Sequence, residues 1–267
     1  MSYRKYLQPE KYWSKAILLV AKLLLKLGIT LERTSVVNGV RLTFIVTSFL
    51  EFFLRAREDF VRHPSTVKWI FDVIEIDDVV YDIGANVGGF ACLIGKRMQE
   101  GKGSVYAFEP AASNFFSLVR NIGRNDLTTK INAYPLAFSD RPRIGTLHCS
   151  SLIPGASVHS IQQRGSSASL KHKVIIETLN EFIDRPSIRF PNHLKIDVDV
   201  DGAEAEIIRG MSRLLLDSRL KTVMIEVDGD EAVSNISEIF RQSGFQEYAR
   251  DLKPRAGLCD ILFVRER

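Results

Sequence analysis

Cysteine is scarce in this sequence, and its spacing argues against two kinds of structural cross-link. Only three cysteines occur among 267 residues: Cys92, Cys149 and Cys259. They are odd in number and far apart, with no Cys-x-x-Cys pair, which argues against a disulfide framework and a structural zinc site. The pattern favours a reducing compartment. We therefore expect a cytoplasmic protein, in which Cys92 is a buried, inert thiol on an apolar helix face.

The sequence also lacks an apolar run long enough to span a membrane. The strongly apolar segment 16–29, AILLVAKLLLKLGI, would form ~21 Å of helix, short of the roughly 30 Å hydrocarbon core. Its lysines and the absence of a small-residue cleavage site disfavour a signal peptide. We predict an amphipathic helix over residues 12–29 with lysines along one edge. It packs on the core or on a second subunit, as in a homodimer, or it contacts a membrane surface peripherally.

Most of the chain lacks an excess of positive charge. Residues 1–30 contain six Lys or Arg and one acid, a net charge of +5, whereas the whole chain carries +4, which leaves −1 for the rest. A protein that reads nucleic acid needs a basic stripe on its working face, so we expect no nucleic-acid partner. The 45% hydrophobic and 25% charged content is ordinary for a globular protein.

From residue 66 to residue 267 the sequence alternates between short apolar strands and helices, whereas residues 1–65 are expected to form an N-terminal helical extension. The predicted strands are 79–83, 104–108, 131–137, 174–177, 193–200, 222–227, 245–248 and 260–264. Alternation of this kind predicts an α/β fold with a doubly wound, mostly parallel, Rossmann-like sheet. The last two strands have no helix between them, which predicts an antiparallel finish.

A glycine-rich turn follows the first of these strands. Gly84 and Gly88 would let the backbone turn sharply and approach a ligand, and the next helix would offer free N–H groups. The carboxylate of Asp82 beside this turn would repel phosphates but attract a cationic ligand. A nucleotide-dependent oxidoreductase is the rival hypothesis, but its turn should read Gly-x-Gly-x-x-Gly, and Asn86 replaces the second glycine.

An acid also ends the next strand. Glu109 can accept hydrogen bonds from both ribose hydroxyls of an adenosine, and Pro110 restricts the chain as it leaves the strand. The alternative for Glu109 is an ordinary solvated charge. Together with the glycine turn, it predicts a site for a positively charged nucleoside.

The segments 82–90, 108–110 and 195–204 together resemble the FkbM-type methyltransferase family, over roughly residues 66–227. The resemblance implies a seven-stranded methyltransferase sheet, S-adenosylmethionine as cofactor, and O-methylation of a hydroxyl on a sugar, glycan or other small-molecule acceptor. It further implies that the methionine end of the cofactor is lined by Asp82, Gly84, Asn86 and Gly88. It places Glu109, followed by Pro110, at the ribose, and Ser139 and Asp140 beside the adenine.

One motif departs from the family pattern. The family has Leu-Lys-Ile-Asp-Val-acid-Gly-x-Glu, whereas this chain reads LKIDVDVDGAE from residue 194, with two extra residues. Because side chains alternate along a strand, the insertion keeps Asp197, Asp199 and Asp201 on one face. These three acids and Glu226 are the predicted catalytic residues, with Asp199 foremost.

Other roles remain open for the same acids. Asp201 has the spacing of a helix N-cap with Glu204, and Glu226 could be a plain strand-end charge. Crowded carboxylates raise the proton affinity of at least one member, or they recruit a divalent cation. We expect catalysis without a metal. A non-catalytic, membrane-peripheral binding protein that retains the fold is the second rival hypothesis.

Overall fold

Short strands and helices alternate through most of the chain in the computed structural model, which describes residues 15–149, 151–157, 170–198, 203–253 and 257–266. The strands are β1 (Leu31–Val37), β2 (Val40–Val46), β3 (Val79–Ile83), β4 (Ser104–Phe108), β5 (Ile131–Tyr134), β6 (Leu136–Phe138), β7 (Arg143–Cys149), β8 (Leu170–Glu177), β9 (His193–Ile196), β10 (Thr222–Asp228), β11 (Phe245–Leu252) and β12 (Leu258–Arg265). The helices are α1 (Lys15–Lys26), α2 (Asp59–Arg62), α3 (Pro64–Asp72), α4 (Gly89–Arg97), α5 (Ala112–Arg124), α6 (Leu179–Phe182), α7 (Ala203–Gly210), α8 (Ser212–Leu216) and α9 (Asp230–Gln242), with a π-helix at Glu51–Glu58 before α2.

A seven-stranded sheet forms the centre of the protein. Its strand order is β11-β12-β10-β9-β3-β4-β5. Strands β10, β9, β3, β4 and β5 are parallel, and β12 runs antiparallel to both β10 and β11. The predicted doubly wound, mostly parallel sheet with an antiparallel finish is therefore confirmed.

Both faces of this sheet are buried. Every residue of β3 and β4 is buried, and alternate residues of β3 belong to two different apolar cores. Val80 packs with α3 and α4 on one face, whereas Tyr81 packs with α6 and α7 on the other. This double burial explains why the strands read as continuous apolar runs in the sequence.

The predicted strand 131–137 is two strands in two sheets. Pro135 separates β5, which belongs to the central sheet, from β6, which pairs with β8 in a three-stranded sheet of order β6-β8-β7. Because proline has no N–H to donate to a ladder, the chain leaves the central sheet at this point. The stretch from 139 to 173, expected to be irregular, contributes β7 and the start of β8.

In its described part, residues 15–65, the N-terminal extension is only partly helical, which corrects the expectation of a helical extension for these residues. Strands β1 and β2 form an antiparallel hairpin through a two-residue turn, in which Asn38 and Gly39 have φ of 48° and 83°. Asn-Gly is the preferred sequence for such a turn, because both residues tolerate positive φ. The predicted helix 12–29 is described from Lys15 to Lys26 as α1. No helix among the described residues combines the length and apolarity needed to cross a bilayer.

Candidate active site

The site lies where the strand order of the central sheet reverses. The chain proceeds from β3 outward through β4 to β5, whereas β9 and β10 lie on the other side of β3. Ligands of open α/β sheets bind at such a switch point, beyond the carboxyl ends of the strands. Here these ends carry Gly84 after β3, Glu109 after β4 and Asp197 after β9.

The glycine turn after β3 has the strained backbone expected of a ligand-binding loop. Gly84, Asn86 and Gly88 all have positive φ, of 82°, 51° and 87°. A Cβ on Gly84 would lie 1.8 Å from the backbone oxygen of Asp197, and one on Gly88 would lie 2.6 Å from Leu118. The backbone at the end of β9 therefore requires glycine at position 84, whereas at position 88 the positive φ favours glycine.

Asp82 is fully buried and pairs with a lysine from the neighbouring strand. Its Oδ1 lies 3.3 Å from Nζ of Lys195, which lies 3.1 Å from Oδ2 of Asp197. Burial raises the pKa of Asp82. Burial would also raise the pKa of Asp197, but the charges of Lys195 and His63 lower it to about 2. Asp82 is not among the residues that line the cofactor cleft described below, so its contact with a ligand stays a prediction.

The lysine between these acids is held in its charged form. Burial alone would lower the pKa of Lys195, but the charges of Asp197 and Asp82 raise it above its usual range. The ammonium also lies 5.0 Å from the ring centre of Phe90. At neutral pH, the charged ammonium of Lys195 therefore pairs with the ionised carboxylate of Asp197, and the buried carboxyl group of Asp82 lies beside them.

Glu109 is fixed by two backbone hydrogen bonds. Its Oε2 accepts from the N–H of Asn86 at 2.8 Å, and its Oε1 accepts from the N–H of Ala111 at 2.8 Å. The side chain is buried, yet it lines the cleft beyond β3 and β4. The predicted strand-end acid is therefore an oriented group of the site and not a solvated charge.

The cleft contains about 640 Å³ of empty space and opens to solvent. Four of the residues predicted to bind the cofactor line this cleft, namely Gly84, Asn86, Glu109 and Pro110, and their contact with a cofactor stays a prediction. Its walls are mostly apolar and include Ile83, Phe108, Leu136, Phe138, Leu147, Val198 and Ile207.

Two predicted adenine neighbours lie outside the lining of this cleft. Ser139 is buried and donates to Glu206 at 2.6 Å, and Asp140 pairs with Arg143 at 3.7 Å. Their contact with adenine stays a prediction. Phe138, the residue before them, does line the cleft, and alternation along β6 separates it from its neighbour.

Two asparagines form hydrogen bonds with the backbone of the segment 155–157, which lines part of the cleft. Asn86 and Asn114 both donate to the backbone oxygen of Ala156, at 3.2 and 2.9 Å. Asn114 also accepts from the N–H of Gly155 at 2.9 Å. Sequence reasoning included Asn86 but missed Asn114, because its role depends on a chain segment about forty residues away.

A second cavity of about 1,500 Å³ of empty space adjoins the cleft. Asp197 and Ser157 line both spaces. Glu226, one of the predicted catalytic acids, lines the second cavity. Asp199 and Asp201 lie outside the described residues, so their predicted roles stay predictions.

The region between the two spaces was not predicted from sequence. A smaller cavity of about 420 Å³ is lined by the glycine turn, Lys195 and Asp197, and also by Arg55, Asp59 and His63. The last three residues line the second cavity as well. They come from the N-terminal extension, so this extension contributes directly to the site.

Four charged or titratable side chains meet at the wall of the second cavity, which three of them line: His63, Glu226 and Lys253. His63, Glu226 and Asp260 have ligand-type atoms within 4.8 Å of one another. The ammonium of Lys253 lies among them, 2.7 Å from His63 Nδ1 and 4.0 Å from Glu226 Oε2, and it pairs with Asp260. A divalent cation would have to displace this ammonium. The expected metal-free mechanism stays a prediction.

Comparisons with known proteins agree with this geometry. The family model for the methyltransferase FkbM domain matches residues 82–247. A hexuronic acid methyltransferase, AglP, of Haloferax volcanii is 28% identical over 210 residues, which cover 78% of this chain and 79% of that protein. Methyltransferase 1 of Beauveria bassiana is 25% identical over 176 residues, covering 57% and 67% of the two chains.

A solved structure shows the same fold. The crystal structure of the methyltransferase FkbM from Methylobacillus flagellatus matches with a TM-score of 0.50 and 14% identity. The match covers 73% of this chain and 45% of that one, so this chain spans less than half the length of that protein. At this identity the likeness concerns the fold alone.

Proposed function

The chain belongs to the FkbM methyltransferase family, and we propose that it transfers a methyl group from S-adenosylmethionine to a hydroxyl of a sugar or glycan. One structural observation carries the proposal: a cleft lined by the glycine turn and Glu109 adjoins a larger cavity, with Asp197 lining both. The name of the Haloferax volcanii relative makes a hexuronic acid the acceptor to test first. Family membership favours this function over both rival hypotheses, the oxidoreductase and the non-catalytic binding protein.

The residues of the cleft fit a nucleoside that carries positive charge. Glu109 would accept the ribose hydroxyls, because two backbone N–H groups hold its carboxylate at the end of β4. The apolar wall formed by Phe138 and Ile207 would accommodate the base. When bound, S-adenosylmethionine supplies a methyl group activated by the charge of its sulfonium.

Asp197 contributes charge and position. A carboxylate with a pKa of about 2 that is paired with Lys195 stays ionised at neutral pH and is a weak proton acceptor. Its place between the cleft and the second cavity suits attraction of a cationic group and alignment of the acceptor. We therefore assign Asp197 to positioning, although the sequence hypothesis placed it among the catalytic acids.

The proton of the acceptor hydroxyl needs a different group. Among the described residues of the second cavity, Glu226 is the candidate that the sequence also predicts. His63 is the second candidate, since it lines the second cavity and also the smaller cavity at the glycine turn. Asp199 remains a predicted member of this set.

The direct test is methyl transfer from labelled S-adenosylmethionine to free sugars. Glucuronic and galacturonic acid are compared with glucose and galactose, and products are identified by mass. We expect one added methyl group on a uronic acid and none on the neutral sugars. Resistance of the product to mild alkali would identify an ether, whereas release of the methyl group would identify an ester. Transfer to the neutral sugars alone would contradict the choice of acceptor.

A further inference from the structure

Helix α1 presents apolar residues on the face that points away from the protein. Ala21 and Leu25 are buried against the core, which defines the inward face of the helix. Leu19, Leu23 and Leu27 follow one another at intervals of four along the opposite face, and their exposed fractions are 69%, 57% and 67%. Val20 is also exposed. A contiguous apolar stripe of this kind on a surface marks a binding surface.

Positive charge borders this stripe on one side. Lys22 and Lys26 are exposed and lie one turn apart on α1, and acidic residues are absent from the helix. The sequence before α1 continues the trend, because residues 1–14 contain Arg4, Lys5 and Lys11 against the single acid Glu10. Lysine stems can lie along an apolar surface while their ammonium groups reach phosphates.

The same N-terminal sequence is rich in the aromatic residues that prefer membrane interfaces. Three of the seven tyrosines and one of the two tryptophans of the chain fall within its first thirteen residues: Tyr3, Tyr6, Tyr12 and Trp13. Tyrosine and tryptophan concentrate at the level of lipid headgroups, since one end of each side chain is apolar and the other polar. This enrichment is independent of the exposed leucines.

These features fit a lipid surface better than a second copy of the chain. The apolar run of residues 16–29 would form ~21 Å of helix, too short to span a bilayer but sufficient to lie in its interface. Two copies facing each other through α1 would bring their lysines together, and like charges repel. An anionic bilayer would complement both the lysines and the apolar stripe.

We propose that the outward face of α1 binds the surface of a bilayer that contains anionic lipid. Leu19, Leu23 and Leu27 enter the boundary between headgroups and acyl chains, while Lys22 and Lys26 contact lipid phosphates. The site residues lie on other elements, so the bound enzyme keeps its cleft. Such an anchor would hold the enzyme beside acceptors attached to a membrane.

The test is flotation of the full chain with vesicles. Phosphatidylcholine vesicles are compared with vesicles of phosphatidylcholine and phosphatidylglycerol at about three to one. The variant Leu19→Glu/Leu23→Glu removes the apolar stripe. Ile144→Glu is the matched control, because Ile144 is 76% exposed but lies on β7. Calorimetry with S-adenosylhomocysteine and circular dichroism verify that each variant is folded.

We expect the wild type and Ile144→Glu to float with the anionic vesicles, and the double variant to lose about tenfold or more of this binding. Three results would overturn the proposal. The first is a wild type that does not float with anionic vesicles, and the second is a double variant that floats as well as the wild type. The third is a wild-type dimer, detected by light scattering, that does not float and that becomes monomeric in the double variant. None of these results depends on methyl transfer, so the proposed function is judged separately.

Discussion

Gly84 and Asp197 meet at the centre of the site: a Cβ on Gly84 would lie 1.8 Å from the backbone carbonyl oxygen of Asp197. The contact joins the turn after β3 to the end of β9, two parts of the chain that are more than one hundred residues apart. Gly84 also has a φ of 82°, which other residues rarely adopt. The glycine turn and the acidic motif therefore form one packed unit.

Gly84→Ala should consequently destabilise the protein as well as the site. We expect a loss of about 3 kcal/mol or more, from backbone strain together with a clash that flexible side chains cannot relieve. Urea unfolding measures this loss. Gly123→Ala is the control, because a Cβ on Gly123 meets no atom within 4 Å and the residue lies within α5. Equal stability of the two variants would contradict the packing described for Gly84.

Lys195→Met should lower the free energy of unfolding, because Asp82 and Asp197 then lose their cationic partner. The side chain is almost fully buried between Asp82 and Asp197, and removing one partner of a buried pair costs about 3–5 kcal/mol. Adding Asp82→Asn to Lys195→Met should restore part of the stability, because one of the two buried carboxyl groups that lost their cationic partner is then removed. Lys173→Met, on the exposed part of β8, is the control. A double variant no more stable than Lys195→Met would count against this electrostatic explanation.

Asp78 should make stability depend on pH. Burial would raise its pKa, but hydrogen bonds from His193 at 2.8 Å and Lys221 at 2.7 Å, with the N–H of Glu75, lower it below its usual range. A carboxyl group whose pKa is lowered by folding stabilises the folded state at pH values above its unfolded-state pKa of about 3.9. This stabilisation is lost as the pH falls below that value towards the pKa of the folded state. Asp78→Asn should therefore cost about 1–3 kcal/mol at pH 7 and progressively less in acid.

The measurement for Asp78 is denaturant unfolding of wild type and variant over a range of pH. Asp217→Asn is the control, since Asp217 pairs with Arg219 near the surface and surface pairs contribute about 0–1 kcal/mol. A difference between wild type and Asp78→Asn that stays constant from neutral to acidic pH would exclude the ionised pair as its origin.

Glu226→Gln tests which group takes the acceptor proton. We expect kcat to fall by about 10²-fold or more while the affinity for S-adenosylhomocysteine stays unchanged, because Glu226 lines the second cavity and not the cofactor cleft. Glu231→Gln, on the exposed face of α9, should behave as wild type. If kcat survives in Glu226→Gln but falls in His63→Gln, His63 has this role.

The central sheet could be predicted from sequence because its strands are short apolar runs bounded by turn residues. The predicted bounds of 79–83 and 104–108 match β3 and β4 residue for residue. Glu109 was predictable for the same reason, as an acid placed at the end of such a run. Cys92, predicted to be a buried thiol, is fully buried in α4, where burial raises its pKa to about 12.

Other features depend on contacts that no local pattern shows. His63 reaches Asp260 across 197 residues, so its place in the second cavity follows only from the fold. The break at Pro135 and the Asn38-Gly39 turn did carry local signals. However, the apolar content of residues 131–137 favours a single strand across Pro135. The apolar stretches around the Asn38-Gly39 turn favour helices over a hairpin.

The most direct test of the nucleoside site is calorimetric titration of S-adenosylhomocysteine into wild type and Glu109→Gln. The carboxylate of Glu109 is held by the N–H groups of Asn86 and Ala111 where ribose hydroxyls would bind. We predict saturable one-to-one binding by wild type and about ten- to a hundredfold weaker binding by Glu109→Gln. Absence of binding to folded wild type would contradict the proposed nucleoside site, and equal affinity of the two proteins would contradict the role of Glu109 in it.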